Sequence, residues 1–234
     1  VYHNRDITKQ ELRLILEHSD VRNRAIYLML YESGMRPDTL VKLRFKHLKS
    51  DFSANRVPMK IELTEDILKC RVSDRWTFIG EEGFDALKRY LTTRLPLQDD
   101  DYVFVRERPK GGRLQPGATS QAFNKIVLKL GLAESAGKGK PKPLRLYCLK
   151  KAFRKFMIAE EAYKEFWMGR SGQGGDQITG AAIHYVSRDI EFHRKLYSEG
   201  YVHLRLNPPK GDSETIARLL QEKTLLERRV QQLE

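Results

Sequence analysis

Residues 20–34, DVRNRAIYLMLYESG, combine a capping residue, an apolar body and a stop. Asp20 can cap a helix because its carboxylate accepts from the free amides of a first turn. Gly34 ends it, since glycine adopts the left-handed conformation found after many helices. An apolar body of this length must be covered by other elements, and 234 residues suffice for one sizeable core or a core plus an appendage. The chain then restarts at MRPDTLVKLRFKHL, with Pro37 suited to a first helical turn and Leu40, Val41 and Leu43 facing inward. Arg36 stands at the junction beside apolar chain, where a guanidinium needs an anion. A core carboxylate and a phosphate both remain open as its partner, and spacing alone favours the carboxylate.

The remaining periodicities place this junction in a mainly helical α+β fold. TKQELRLILEHS opens with a capping box, Thr8 and Glu11, followed by apolar residues at helical spacing. VPMKIEL and RVSDRWTFI are β-rich and flank TEDILKC, which predicts a small antiparallel hairpin turning around Thr64–Cys70. GEEGFDALKRYLTTR, ATSQAFNKIVLKLGL and the stretch around YCLKKAFRKFMIAEEAYKEFWMG return to helix, and DYVFV reads as a short buried strand or turn. RERPKGGRLQPG and AESAGKGKPKP are basic loops rich in Gly and Pro. The domain so outlined spans residues 1–207. Beyond the hinge NPPKGD, residues 208–234 carry Ile216, Leu219, Lys223, Leu226, Val230 and Leu233 at alternating spacings of three and four, a heptad seam with one lysine in it. A docked surface helix and a coiled coil or oligomerisation tail both fit that pattern.

Charge narrows the class of partner. Lys and Arg number 43 against 31 Asp and Glu, a formal net charge of +12. The excess resides in the body, because from Gly211 onward Arg218, Lys223, Arg228 and Arg229 are offset by Asp212, Glu214, Glu222, Glu227 and Glu234. Such a surplus points to a polyanion, most often nucleic acid. Cys70 and Cys148 make neither a metal spacing nor a disulfide framework, and the histidines show no paired ligand spacing, so neither metal nor cofactor is expected. No apolar run approaches the ~18 residues that span a bilayer, and no signal peptide opens the chain. The expectation is a cytoplasmic, nucleic-acid-associated protein with no membrane partner. Val1 in place of Met suggests a fragment or a processed product.

The order of motifs carries a resemblance. ITKQEL, ESGMR and TLVKLRFKHL resemble the opening of the tyrosine recombinase (phage integrase) catalytic domain, and RWTFIGEEGFDALKRYL resembles that family's return after its β-hairpin. YCLKKAFRKFM is placed like the family's HxLR motif, FWMGRS like its LGH motif, and HYVSRD like the segment bearing its nucleophile. The resemblance runs from about Asp6 to Leu206 and does not include the family's upstream DNA-clamping domain. Arg36 and Tyr185 match directly. Tyr147 stands where histidine is usual, Lys150 where the second arginine is usual, and Arg170 where histidine or tryptophan is usual. SGQGGDQITG lengthens the loop before Tyr185, and HYVSRDIEFHRKLYSEGYVHL is similar to integrases of archaeal plasmids and viruses.

The resemblance implies site-specific cleavage and rejoining of double-stranded DNA through a 3′-phosphotyrosine, without metal or cofactor. Tyr185, beginning a helix after the glycine-rich loop, is then the nucleophile, with Tyr163, Tyr197 and Tyr201 as rivals. Arg36 clamps the scissile phosphate through its planar fork. Lys150 is the second clamp, with Arg154 one turn away on the same face and Arg145 before the helix as helpers or substitutes. Lys69 on the hairpin turn donates the proton to the leaving 5′ oxygen, with Lys60 and Arg71 as rivals. Tyr147 donates a hydrogen bond to a phosphate oxygen, and Arg170 adds positive charge. His184 is a polar neighbour, and Lys138 and Lys140 belong to a phosphate-tracking loop. Three other readings stay open: a DNA-binding module that has lost catalysis, a type IB topoisomerase-like enzyme, and a structural protein centred on its heptad tail.

Four-strand exchange requires a tetramer on paired sites, and a tail docked on a neighbour would couple cleavage to assembly. Deleting residues 211–234 is expected to leave binding to a single DNA site nearly intact while impairing paired-site recombination. Light scattering and a recombination assay on the truncated chain check this; unchanged recombination and oligomer size would make the tail a surface helix or a dock for another partner.

Overall fold

The computed structural model describes residues 5–68, 75–107, 111–133, 144–169 and 186–207. Contacts divide the chain into Val1–Leu204 and Arg205–Glu234; the elements below belong to the first unit. They are α1 (Lys9–Glu17), α2 (Val21–Ser33), α3 (Pro37–Leu40), a 3-10 turn (Phe45–His47), α4 (Lys49–Ser53), β1 (Met59–Leu63), β2 (Arg75–Ile79), α5 (Glu81–Thr92), α6 (Pro116–Lys129), α7 (Tyr147–Phe156), α8 (Glu161–Trp167) and α9 (Ile190–Tyr201). The class is α+β, mainly α, with one two-stranded antiparallel sheet among the described residues.

The middle of the molecule is α2. A helix apolar on all its faces stays out of water on all of them, and every residue from Ala25 to Ser33 is buried. The helix packs against α5, α7 and β2. Both caps form: Asp20 accepts from the Asn23 amide at 2.8 Å, and Gly34 closes the helix at φ 63°. The Thr8–Glu11 capping box at α1 is also present. The sheet pairs Met59 with Ile79 and Leu63 with Arg75. Met59, Ile61 and Leu63 face the core, and Lys60 and Glu62 pair with each other at 2.8 Å on the other face.

Two local expectations are corrected. The restart after Arg36 is helical for only four residues, Pro37–Leu40. Leu40, Val41 and Leu43 are buried as expected, but the backbone after them finds partners elsewhere. Val103 N–H donates to Leu43 O, Phe45 N–H to Asp101 O and Lys46 N–H to Asp99 O, each at 2.9 Å. Pairing with the DYVFV segment, whose Val103 and Phe104 are fully buried, thus replaces helical bonds. The second correction concerns the segment at Tyr185. Residues 186–189 are not helical, and α9 begins at Ile190 with Asp189 as its cap.

A buried carboxylate sets the C-terminal end of α2. Glu32 accepts from Gly80 N–H at 2.8 Å, from Gly83 N–H at 3.1 Å and from the Tyr201 hydroxyl at 3.1 Å. Its own carbonyl accepts from the Tyr197 hydroxyl at 2.8 Å. One residue thereby joins α2 to the N-terminus of α5 and to α9. A Cβ at Gly83 would lie 2.4 Å from Glu32 Oε2, so close approach is possible only with glycine there. Burial, and next the nearby charge of Glu82, push the Glu32 pKa from 4.5 up to about 8, although the three donors pull the other way.

A carboxyl whose pKa rises on folding stabilises most below its unfolded value and loses that contribution as pH climbs through the folded one. The melting temperature should therefore fall between roughly pH 5 and 8. Glu32→Gln, isosteric and uncharged, should flatten the profile across that window. An unchanged slope in the variant would show that Glu32 does not titrate there.

Candidate active site

Gly34 makes the site possible. A Cβ there would lie 2.5 Å from Phe153 Cδ1 and 2.9 Å from Met168 Cγ. The left-handed turn and the missing side chain together let α7 and the end of α8 close onto the end of α2. Arg36 follows two residues later in extended conformation as the residue preceding α3. It lines a recess with Thr39, Leu63, Leu68, Met168 and Gly169. Arg36 is half-buried. Among the described residues no carboxylate pairs with it and its side chain makes no hydrogen bond, which goes against the carboxylate partner that spacing favours.

Met168 connects this recess to a second one, lined by Tyr147, Lys150, Lys151, Arg154 and Met168, with Asp6 and Lys155 at its edge. The residues of α7 in that group are spaced three, four and seven apart, one helix face. Lys150 is 2 % exposed, and its Nζ donates to Met168 O at 2.7 Å. A buried ammonium requires such a partner, and this one fixes the turn that leads into Arg170. Tyr147 opens α7 and is 40 % exposed at the mouth of the recess. Arg154 is held by carboxylates of α8: it pairs with Glu161, and with Glu165 at 3.5 Å. Arg145, two residues before α7, is exposed, with its N–H directed at Cys148 Sγ, 3.5 Å away. Asp6 pairs with Lys155 at 2.7 Å.

The hairpin reaches the Arg36 recess through Leu68. Its turn is held by Thr64, whose carbonyl accepts from the Ile67 and Leu68 amides. Thr64 Oγ1 donates to Asp66 at 2.5 Å and lies 3.2 Å from His47 Nε2. His47 Nδ1 accepts from Arg44 N–H at 2.8 Å, so Nε2 carries the proton and donates to Thr64. This chain fastens the turn to the 3-10 segment behind Arg36. Burial lowers the His47 pKa, which keeps the ring in that neutral form.

The rival tyrosines are placed by their surroundings. The hydroxyls of Tyr197 and Tyr201 are both engaged on Glu32, and burial raises both pKa values. Tyr163 packs in tilted and edge contacts among Trp167, Phe192 and His193. Lys60, a rival to Lys69, is paired with Glu62. Lys69, Arg71, Lys138, Lys140, Arg170, His184 and Tyr185 lie outside the described residues. Sequence reasoning missed the Met168 carbonyl, which has no side-chain signature, and Thr39, whose signal was its place three residues after Arg36.

Comparison with known proteins identifies the family. Residues 5–155, more than half of the chain, match the Phage integrase family. Tyrosine recombinase XerC of Leptospira interrogans serogroup Icterohaemorrhagiae serovar copenhageni (strain Fiocruz L1-130) is 27% identical over 116 residues, 49% of this chain and 33% of that protein. The match therefore spans about a third of the length of that relative. Among solved structures, XerA recombinase superposes with a TM-score of 0.56 at 20% identity, over 85% of this chain and 64% of that one. The Tn1549 transposon integrase, in complex with transposon right end DNA, does so with a TM-score of 0.57 at 16% identity, over 85% of this chain and 66% of that one. The chain belongs to the phage integrase family and has the fold of these recombinases.

Gly34→Ala should destabilise the protein by about 2–4 kcal/mol, combining left-handed strain with overpacking against Phe153 and Met168. Gly131 has the same sign of φ, 65°, but open space where a Cβ would go, so Gly131→Ala should cost only about 1 kcal/mol. Urea denaturation of the two variants checks this; equal losses would mean that the close approach at Gly34 contributes nothing.

Proposed function

We propose that this chain is the catalytic domain of a tyrosine recombinase, an integrase of a mobile element that breaks and rejoins double-stranded DNA. The observation that carries this is the Arg36 recess. Its arginine has no carboxylate partner among the described residues, and its walls include Leu68 and Gly169, the residues before Lys69 and Arg170. One family-matched position, Arg36, thus lines a recess together with the chain neighbours of two others. The basic face of α7 and a net charge of +12 suit a DNA backbone.

In this reading Tyr185 Oη attacks the scissile phosphorus. The bond from phosphorus to the 5′ oxygen breaks, and a 3′-phosphotyrosine forms. A phenol with pKa near 10 attacks poorly, so cations must hold the non-bridging oxygens as charge develops. Arg36 grips two of them as a fork. Lys150 places a second charge behind Met168, better situated than Arg154, which two carboxylates occupy. Tyr147 offers a neutral hydroxyl at the recess mouth, and Arg170 adds charge. Lys69 protonates the departing 5′ oxygen. Rejoining reverses each step, so no metal or cofactor is called on. Recombination of paired sites calls for four copies of the chain, acting in the cytoplasm where the element's DNA lies. A second reading, a recombinase fold that binds DNA without cutting it, draws on the bond from Lys150 to Met168 O, which gives that lysine a structural task.

Covalent trapping on a nicked duplex separates the two. Tyr185→Phe should keep fold and DNA affinity and lose all covalent product. Arg36→Ala should lose roughly 2–4 kcal/mol of transition-state stabilisation with little change in affinity. A wild-type chain that binds DNA and never forms an adduct supports the second reading. An adduct that persists in Tyr185→Phe removes Tyr185 as nucleophile.

A further inference from the structure

His193 is fully buried in the first turn of α9, and the mechanism above does not use it. Both of its ring nitrogens are engaged. Trp167 Nε1 donates to His193 Nδ1 at 3.0 Å. His193 Nε2 lies 2.8 Å from Ser187 O. An indole N–H can only donate, so Nδ1 must be bare and Nε2 must carry the single proton and donate it to Ser187 O. The bonding thus fixes one neutral tautomer. Trp76, Tyr163 and Phe166 surround the ring, with centroids 5.1–5.2 Å away.

The two bonds connect two parts of the chain that matter. Trp167 ends α8 just before Met168, whose carbonyl holds Lys150, and Gly169, which lines the Arg36 recess. Ser187 lies two residues after Tyr185. Around it the chain is tied at successive points: Val186 is buried, Asp189 N–H donates to Ser187 Oγ at 3.1 Å, and Asp189 caps α9 through the Glu191 and Phe192 amides. A displacement of about 1 Å in a reacting group can cost on the order of 100-fold in rate, so the chain leaving the nucleophile has to be held somewhere.

We propose that His193 is the positioning residue of the nucleophile segment: as the Nε2–H tautomer it ties the backbone two residues beyond Tyr185 to Trp167, the residue before Met168 and Gly169 in the wall of the Arg36 recess. This rests on the reading of Tyr185 as nucleophile. Protonation of Nδ1 would set two donors against each other and break the bond to Trp167. Burial, first of all, lowers the His193 pKa; the Ser187 carbonyl and Asp189 raise it, and Arg188 lowers it. The other titratable or charged groups facing this pocket are Tyr163 on α8 and Arg75 on β2, the latter over the Phe166 ring. The link is therefore intact at neutral pH and is lost as pH falls below the ordinary histidine range.

The test uses the full chain, a nicked duplex, single-turnover formation of the covalent adduct and separate measurement of DNA affinity. His193→Phe keeps the ring volume and removes both bonds. It should slow adduct formation by about 10–100-fold while affinity for DNA stays near wild type. His193→Gln, which has an acceptor and a donor but no titration in this range, should recover most of the rate and abolish the low-pH fall expected of wild type. Nitrogen-15 NMR of the imidazole should report the Nε2–H tautomer at neutral pH. Adduct formation in a folded His193→Phe at the wild-type rate would overturn the proposal, as would an Nδ1–H tautomer. If His193→Phe does not fold, the pH profiles of wild type and His193→Gln decide; identical profiles overturn it. An adduct that survives Tyr185→Phe would instead defeat the reading of the nucleophile, which keeps the two failures distinct.

Discussion

The close approach of Phe153 and Met168 to Gly34 is the contact on which the rest of the site depends. A buried helix ends there in a left-handed turn without a side chain, and two further helices come down onto that end. Arg36 leaves the turn on one side of Met168, and Lys150 approaches from the other. Any larger residue at 34 would separate the two cations that the proposed chemistry needs together. The arrangement is held from behind by Glu32, two residues earlier, which gathers α5 and α9 onto the same helix end.

Around that turn the cations differ in how they are held. Arg36 has no anion among the described residues, Arg154 has two carboxylates, and Lys150 has a main-chain carbonyl. This distribution leaves Arg36 as the group most ready for a phosphate. On the proposed reading of Lys150 as the second clamp, lysine rather than arginine there has a physical sense. A compact ammonium fits under Met168 and can lock a carbonyl, whereas a guanidinium is broader and forks in a plane. In that reading the bond from Lys150 to Met168 O couples charge at the site to the turn at Met168.

Much of this was legible in the sequence because local signals and burial agreed. The caps Asp20 and Thr8, the stop at Gly34 and the hairpin flanking Thr64–Cys70 are all short-range features, and each appears where its residues imply. The helix expected to continue through Leu43 failed because its backbone pairs with residues 99–103, more than fifty positions away, which no local pattern encodes. Arg36 was visible as an arginine needing an anion, but the choice between carboxylate and phosphate depended on what the fold brings near it. The tasks of Glu32 and His193 were not legible, since each depends on partners from distant elements: Gly80, Gly83 and Tyr201 for one, Trp167 and Ser187 for the other. Tyr197 and Tyr201 looked like rival nucleophiles in the sequence and are core residues in the fold.

The central claim is that one tyrosine of this chain becomes joined to DNA. The most direct measurement incubates the wild-type chain with a pool of nicked duplexes of randomised sequence, digests the product and locates the nucleotide-bearing peptide by mass spectrometry. A single adduct is expected, a 3′-phosphate ester on Tyr185. An adduct on another residue, or DNA binding without any adduct, would contradict it.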